Sequence, residues 1–232
     1  MGLLLLTLRM SVFESGLYKQ LAEKTHLAKG NFLMLFNKRE RFIRYLRSIL
    51  IGLPTWFVVG ILISFSPEFA HHLGINQPID PGKGIMISYA AIAFGDIVIG
   101  LLSQQLKSRK KALHIFYLIT ISGMAVFFTA SSPWQLYISM GIMGFGTGFW
   151  AVFVTIGAEN FGTNLRATAA TTIPNMVRGS LNLISALFLF LTSQISYVNS
   201  GIFTGVIVML ITYWAISGLQ ETFGRDLDFI EE

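Results

Sequence analysis

The stretch that decides the fold is WQLYISMGIMGFGTGFWAVFVTIGAENF, residues 134–161, in which Glu159 is the single charged side chain. This apolar run exceeds the roughly 20 residues that an α-helix needs to cross a ~30 Å hydrocarbon core. Further runs of similar character bring the set to residues 46–65, 84–106, 112–130, 134–161, 168–194 and 200–218. We name these runs spans 1 to 6 and predict an all-α integral membrane protein with six transmembrane helices.

The composition argues against a soluble protein. Hydrophobic residues make up 53% of the chain and charged residues only 12%, against about 25% charged residues in ordinary globular domains. A soluble bundle of very apolar helices is the alternative, and six successive runs of this length argue against it. The chain has no cysteine, which excludes disulfides and thiolate metal sites.

The basic residues predict the orientation. Of the 17 Lys and Arg, nine lie in the leader from Arg9 to Arg47 and four between spans 2 and 3. Arg166 and Arg225 lie on that same side of the membrane, whereas the opposite loops hold only Lys83. Because loops rich in Lys and Arg stay in the cytoplasm, we expect both termini to be cytoplasmic in a protein of the cell (inner) membrane. This placement also argues against nucleic acid as a partner.

The leader before span 1 mixes apolar and basic residues over residues 11–47. Such a mixture is typical of short helices that lie on the membrane surface. For residues 25–31 a flexible charged loop is an equal alternative. The lipid bilayer is in either case the first partner of the chain.

Two ionisable residues lie inside spans, where charge is costly and marks functional sites. Asp96 is near the middle of span 2, and Arg178 is about ten residues into span 5. Asp96 could carry a coupling proton, since desolvation favours the neutral acid, or it could be a fixed counter-charge for Arg178. Arg178 could line a polar cavity, or it could only pair with a carboxylate to hold helices together.

Span 5 carries a polar stripe. Thr171, Asn175, Arg178 and Asn182 recur at spacings of four, three and four residues, which places them on one helical face. The opposite face is apolar, with Ile173, Met176, Val177, Leu181 and Ile184. We expect the stripe to face an aqueous cavity or other polar helices, and we expect Pro174 to kink the helix.

Other features of the spans indicate packing rather than chemistry. Gly144 and Gly148 have the GxxxG spacing that lets helices approach closely in lipid. Span 6 has Thr204 and Thr212 as its main polar residues, so we expect it to face lipid. We find no nucleophile and base, no metal-binding set and no phosphate loop. We therefore predict no enzyme, no metal and no cofactor.

Four segments in order resemble the major facilitator superfamily, specifically sugar porters and metabolite:proton symporters. They are RMSVFESGLY (residues 9–18), GLLSQQLKSRKK (residues 100–111), AENFGTNLRAT (residues 158–168) and ETFGRDL (residues 221–227). They resemble, in turn, the "ESP" element, the GxLaDRxGRR loop, the AExFPTxxRATG junction and the PETKGRxL element of that family. These segments depart from the family patterns at Gln104, which replaces the acid of the GxLaDRxGRR loop, and at Gly162, which replaces the proline of the AExFPTxxRATG junction.

The resemblance implies a fold and a domain organisation. Residues 1–45 would be the end of helix 6 and a cytoplasmic linker, residues 46–218 would be helices 7–12, the second six-helix half of the fold, and residues 219–232 would be a cytoplasmic tail. Helices 7, 8, 10 and 11 line the pathway in this family. Arg109, Glu159, Arg166 and Glu221 would form a cytoplasmic gate, with simple topology anchors as the alternative.

The resemblance also implies a function: secondary active transport of a small polar solute by alternating access. The solute would be a sugar or an organic anion, with protons as the coupling ion, and the site would include Asp96, Arg178, Asn175, Asn182 and Thr171. One half supplies only one wall of the pathway. A second six-helix half is therefore implied, either a missing N-terminal half or another copy. The alternatives are a non-transporting membrane scaffold or sensor, and an inactive fragment of a split or truncated transporter gene.

Overall fold

The computed structural model describes residues 30–231. All regular structure in this part of the chain is helical. The helices are α1 (Met34–Asn37), α2 (Arg39–Leu50), α3 (Leu53–Phe57), a π-helix (Val58–Ile63), α4 (Ser66–His72), α5 (Pro81–Gln105), α6 (Arg109–Phe128), α7 (Pro133–Thr147), α8 (Trp150–Glu159), α9 (Thr163–Gly179), α10 (Leu181–Thr192) and α11 (Tyr197–Ser217). The segment at residues 9–18 and the predicted end of helix 6 lie outside the described residues.

The prediction of six spans is confirmed. Within residues 30–231, six helical stretches are long and apolar enough to cross a membrane, namely Arg39–Ile63, Pro81–Gln105, Arg109–Phe128, Pro133–Glu159, Thr163–Thr192 and Tyr197–Ser217. They keep the names spans 1 to 6. Span 1 begins at Arg39, so residues that the sequence placed in a surface linker form the first turns of a spanning helix. The sequence did not indicate this boundary because the first turns of span 1 are amphipathic. One of their charged residues, Arg41, is buried by an ion pair with Glu231 in the tail of the chain.

Several spans are interrupted. Span 4 breaks at Gly148 and Phe149, between α7 and α8, and span 1 contains the π-helix, a feature found frequently at functional sites. Span 5 is interrupted at Ser180, between α9 and α10. The structure keeps Pro174 inside α9, so the interruption of span 5 lies six residues beyond the proline that the sequence indicated.

Small residues let spans 2 and 4 pack backbone to backbone. A Cβ atom added at Gly144 would lie 2.6 Å from the carbonyl oxygen of Ser88, and one at Gly148 would lie 2.6 Å from that of Ile92. Real Cβ atoms do not approach so closely, so neither position accommodates a larger residue without a shift of backbone. The predicted packing role of these two glycines is confirmed.

The spans differ in how deeply the bundle buries them. Only 17% of the most apolar segment of spans 2 and 5 is buried, against 44% to 67% in the other four spans. Span 6 turns Thr204 and Thr212 into the core and exposes Phe203 and Leu210. The expectation of a lipid-facing span 6 therefore fits one face of that helix, while its polar residues pack inward.

Candidate functional site: a polar cavity and a charged end of the bundle

A cavity of about 200 Å³ opens among spans 1, 2, 4 and 5. It contains both ionisable residues that the sequence singled out within the spans. Its lining is otherwise aromatic, hydroxyl-bearing and aliphatic. The lining residues are Thr55, Trp56, Val59, Tyr89, Ile92, Asp96, Thr147, Trp150 and Arg178.

Asp96 bonds to the break in span 4. Its Oδ1 atom accepts a hydrogen bond of 2.9 Å from the backbone N–H of Ala151, the second residue of α8. The first N–H groups of a helix have no partner within the helix and carry a partial positive charge. Asp96 reaches them because its neighbour Gly95 packs against the break, where an added Cβ would lie 3.1 Å from Gly148 Cα. Asp96 thus caps α8 from a neighbouring span.

Arg178 lines the same cavity. Its guanidinium carbon is 5.5 Å from the ring centroid of Trp56, within the range of a cation–π interaction. Among residues 30–231 Arg178 forms no ion pair within 4 Å, either with Asp96 or with another carboxylate. The two charges therefore share the cavity without being paired in this structure.

The cavity wall has unused hydrogen-bonding capacity. The indole Nε1 of Trp56 and the hydroxyl of Thr55 are buried and make no hydrogen bond within the described part of the chain. Buried polar groups without partners are rare and call for a ligand, an ion or water. Both residues line the cavity beside Arg178, with these two polar atoms themselves buried in its wall.

The polar stripe of span 5 is exposed along its length. Thr171, Asn175, Arg178 and Asn182 are exposed, whereas Ile173, Val177 and Ile184 on the opposite face are buried. Only Arg178 of this stripe lines the cavity. Met176, which the sequence pattern placed on the apolar face opposite the stripe, is 45% exposed. The buried face of span 5 is therefore narrower than the sequence pattern indicated.

One pair of the predicted gate forms directly. Arg109 Nε and Nη2 donate to the two carboxylate oxygens of Glu159 at 2.7 and 2.6 Å. The fork geometry of guanidinium and carboxylate makes this one of the stronger side-chain contacts. Arg109 begins span 3 and Glu159 ends α8, so the pair ties two spans together at one end of the bundle.

The other two predicted gate residues bond elsewhere. Arg166 donates to the backbone oxygen of Leu227 and does not pair with Glu159. Glu221 accepts hydrogen bonds from the Ser108 hydroxyl and from the backbone N–H groups of Arg109 and Lys110. It therefore caps the start of span 3 and does not join an arginine network.

This cap governs the protonation of Glu221, which lies beyond the last span. Burial opposes its ionisation, but the hydrogen bonds from Ser108 and from backbone N–H groups outweigh burial. The pKa of Glu221 is consequently lowered from its ordinary value of 4.5. A carboxylate at a helix N-terminus is also favoured by the helix dipole.

The tail of the chain folds back onto the bundle, which the sequence analysis missed. Glu231 pairs with Arg41 at 3.1 Å and with Arg44 at 2.8 Å, and its backbone exchanges two hydrogen bonds with the side chain of Asn164. A Cβ at Gly162 would lie 2.8 Å from the oxygen of Phe229. The tail thus requires glycine where the family resemblance has proline.

The bundle therefore has an identifiable terminal end, where both described ends of the chain meet. Gly30 donates its backbone N–H to the oxygen of Asn164, and Asn164 contacts Glu231 as described above. The ion pair of Arg109 and Glu159 joins helix ends on this same side of the bundle. Of the four predicted gate residues, Arg109 and Glu159 thus form a direct pair, and the gate itself stays a prediction.

Several cavity residues were not predicted from the sequence. Trp56, Tyr89 and Trp150 all line the cavity, and the two indole rings contact each other edge-on at 6.5 Å. Trp and Tyr concentrate at the ends of membrane helices. A tryptophan such as Trp150, in the interior of span 4, is therefore a usable signal for a cavity wall.

The six helices of residues 30–231 that are long and apolar enough to cross a membrane indicate an α-helical integral membrane protein. No protein-family model matches the chain. No curated protein sequence matches it significantly.

Proposed function

We propose that the chain takes part in secondary active transport of a small polar solute by alternating access, as one half of a transporter of the major facilitator type. The observation that carries this proposal is the cavity that holds Asp96 and Arg178 unpaired inside a six-span bundle. Unpaired charge at membrane depth is costly. Such a site is best explained by a polar guest and water that occupy it during the transport cycle.

The surface of span 5 supports a second six-span unit as part of this proposal. Asn175, Arg178 and Asn182 are exposed on the isolated bundle, and contact of these side chains with lipid tails would be strongly unfavourable. Spans 2 and 5, the two least buried spans, therefore require another protein surface or a water-filled pathway beside them. The repeats of this family are parallel halves, so another copy or a separate N-terminal half would supply that surface.

The chemistry of the wall suggests the solute class. Arg178 offers guanidinium donors, and Trp56 and Thr55 add an indole N–H and a hydroxyl without partners. These groups suit hydroxyl or carboxylate oxygens, as in a sugar or an organic anion. The aromatic faces of Trp56 and Trp150 suit the apolar C–H surface of such a molecule.

Asp96 is our candidate for the proton-coupling site. As a carboxylate it accepts the N–H of Ala151 and holds the start of α8. Protonation would remove the negative charge from that cap and weaken it, because the helix dipole favours an anion there. The other end of α8 is Glu159, which is paired with Arg109. A proton taken up in the cavity would thus act on the helix that carries the gate pair.

Uptake assays test the proposal. The chain is reconstituted in proteoliposomes, and uptake of hexoses and of di- and tricarboxylates is measured with and without an inward proton gradient. We expect gradient-driven uptake in the unmodified chain, and we expect Asp96→Asn to abolish it while sparing solute exchange. Glu68→Gln removes an exposed acid outside the cavity and should retain uptake.

The outcomes separate the alternatives. Uptake with unchanged pH dependence in Asp96→Asn would remove Asp96 as the coupling site. Absence of uptake for every solute, together with a monomeric detergent particle, would exclude a transporter made of two copies. That result would favour a scaffold, a sensor or an inactive fragment.

A further inference from the structure

A second pocket, of about 300 Å³, lies at the terminal end of the bundle. It is separate from the central cavity, since the two share no lining residue. The start of span 1, the end of span 4 and the end of span 6 form its walls. The lining residues are Glu40, Ile43, Arg44, Arg47, Asn160, Gly218, Leu219 and Gln220.

Two arginines dominate the polar wall of this pocket. Arg44 donates one hydrogen bond to Glu231, and Arg47 donates from Nη1 to the backbone oxygen of Gly218 at 2.7 Å. A guanidinium has five N–H donors, so both side chains keep donor capacity beyond these contacts. The Nε atom of Arg47 has no acceptor among residues 30–231 but is itself buried, so the capacity left for a ligand is that of the other guanidinium N–H groups.

A buried amide adds a second polar group without a full set of partners. Asn160 is 1% exposed, and its Nδ2 atom donates to the Ile156 oxygen at 2.8 Å. That bond fixes the amide orientation and leaves Oδ1 without a donor in the described part of the chain. Because Oδ1 is an acceptor, its missing partner is a donor such as water or a headgroup hydroxyl, and not the phosphate itself.

The position of the pocket indicates where its ligand comes from. Arg47 stacks over Trp214, with the guanidinium carbon 4.9 Å from the ring centroid, and Trp214 is 51% exposed near the end of span 6. Exposed tryptophans on spanning helices concentrate at the level of the lipid headgroups. The pocket beside Trp214 therefore opens at the depth of lipid phosphates rather than in bulk water.

We propose that this pocket binds the phosphate of a membrane phospholipid headgroup, with Arg47 and Arg44 as the donors. Arginine is suited to phosphate because its planar fork matches two phosphate oxygens. Basic pockets between spanning helices on the cytoplasmic side are a known form of headgroup recognition. A bound headgroup would bridge spans 1 and 6, to which Arg47 and Gly218 belong. The proposal does not depend on transport by the chain.

The test measures lipid binding to the full chain in maltoside micelles. Short-chain phosphatidylglycerol is titrated, and the rise in the midpoint of thermal unfolding gives an apparent Kd, because a ligand that binds the folded state stabilises it. Inorganic phosphate is titrated in parallel. Gln220→Glu places a negative charge on the exposed rim of the pocket, whereas Gln105→Glu makes the same change at an exposed position outside it.

We expect phosphatidylglycerol to stabilise the unmodified chain and the Gln105→Glu variant equally. Gln220→Glu should bind about tenfold more weakly, because a like charge within a few ångströms repels the phosphate, and Glu40→Gln should bind more tightly. Equal weakening in both glutamate variants would overturn the site and leave only general charge attraction. Equal stabilisation by inorganic phosphate would overturn the lipid assignment and identify a free phosphate as ligand. Absence of any stabilisation would overturn the proposal.

Discussion

The ion pair between Arg109 and Glu159 allows a quantitative prediction. The side chain of Arg109 is 19% exposed and that of Glu159 is 12% exposed, so the pair is neither a surface contact nor fully buried. Exposed pairs contribute about 0–1 kcal/mol, and loss of one partner from a buried pair costs about 3–5 kcal/mol. Glu159→Gln retains the shape of the side chain but removes the charge that accepts two hydrogen bonds. We expect it to lower the free energy of unfolding by about 2–3 kcal/mol.

The assay is a double-mutant cycle. Glu159→Gln, Arg109→Gln and the double variant are unfolded by sodium dodecyl sulfate in mixed maltoside micelles, with tryptophan fluorescence as the readout. The double variant should cost less than the sum of the two single variants by about 1.5 kcal/mol, because either change alone already removes the interaction. Glu68→Gln, an exposed acid at the opposite end of span 1, should change stability by less than about 1 kcal/mol.

Additivity would refute this reasoning. If the cost of the double variant equals the sum of the single costs to within about 0.5 kcal/mol, the two side chains act independently, and the gate prediction loses its central contact. A cost below about 0.5 kcal/mol in both single variants would place the pair among the solvated surface contacts.

Three further predictions follow from other parts of the bundle. Gly144→Ala should lower the free energy of unfolding by about 1–3 kcal/mol because the new Cβ meets the span 2 backbone. The control is Gly100→Ala, which has open space around the new Cβ. In the same unfolding assay it should be neutral or stabilising by up to about 1 kcal/mol. In membranes, the cysteine of Asn175→Cys should react with a water-soluble maleimide. The cysteine of Leu183→Cys, at a position that is also exposed, should stay unlabelled because surrounding lipid suppresses the thiolate. Equal labelling of the two variants would contradict a polar pathway along span 5. The pKa of Glu221 is lowered in the folded state, so its carboxylate contributes stability above pH 4.5 that is lost as the pH falls through the folded-state pKa. In the Glu221→Gln variant the unfolding midpoint should therefore fall less steeply as the pH is lowered through this range.

The number and type of spans could be predicted because the bilayer imposes one local rule. Every backbone polar group at membrane depth must be satisfied within its own helix, so each span appears as a long apolar run. The residues at which spans begin were harder to predict where the helix is surrounded by other parts of the chain and not by lipid. Arg41 reads as a cytoplasmic linker residue in sequence, yet it is 3% exposed at the start of span 1 because Glu231 neutralises it. Arg41 and Glu231 lie 190 residues apart in the sequence, so no local pattern predicts their contact.

The candidate site was predictable in its charges but not in its partners. Asp96 and Arg178 stand out because ionisable groups are rare in spans, and both line the cavity. The acceptor role of Asp96 depends on N–H groups that are free only because span 4 breaks at Gly148 and Phe149. Glycines in a span indicate both close packing and bending, so the sequence alone did not place this break.

The helix α8 connects the two charged sites physically. It is capped at its first turn by Asp96 and ends at Glu159, which pairs with Arg109. At 1.5 Å per residue its ten residues span about 15 Å. The Asp96 carboxylate lies at the positive end of the helix dipole, where an anion is favoured, whereas the Glu159–Arg109 pair at the other end carries both signs of charge. Two non-helical residues, Gly148 and Phe149, separate α8 from α7. In the transport that we propose, Asp96 is therefore the position at which protonation in the cavity would act on the helix that ends at the gate pair.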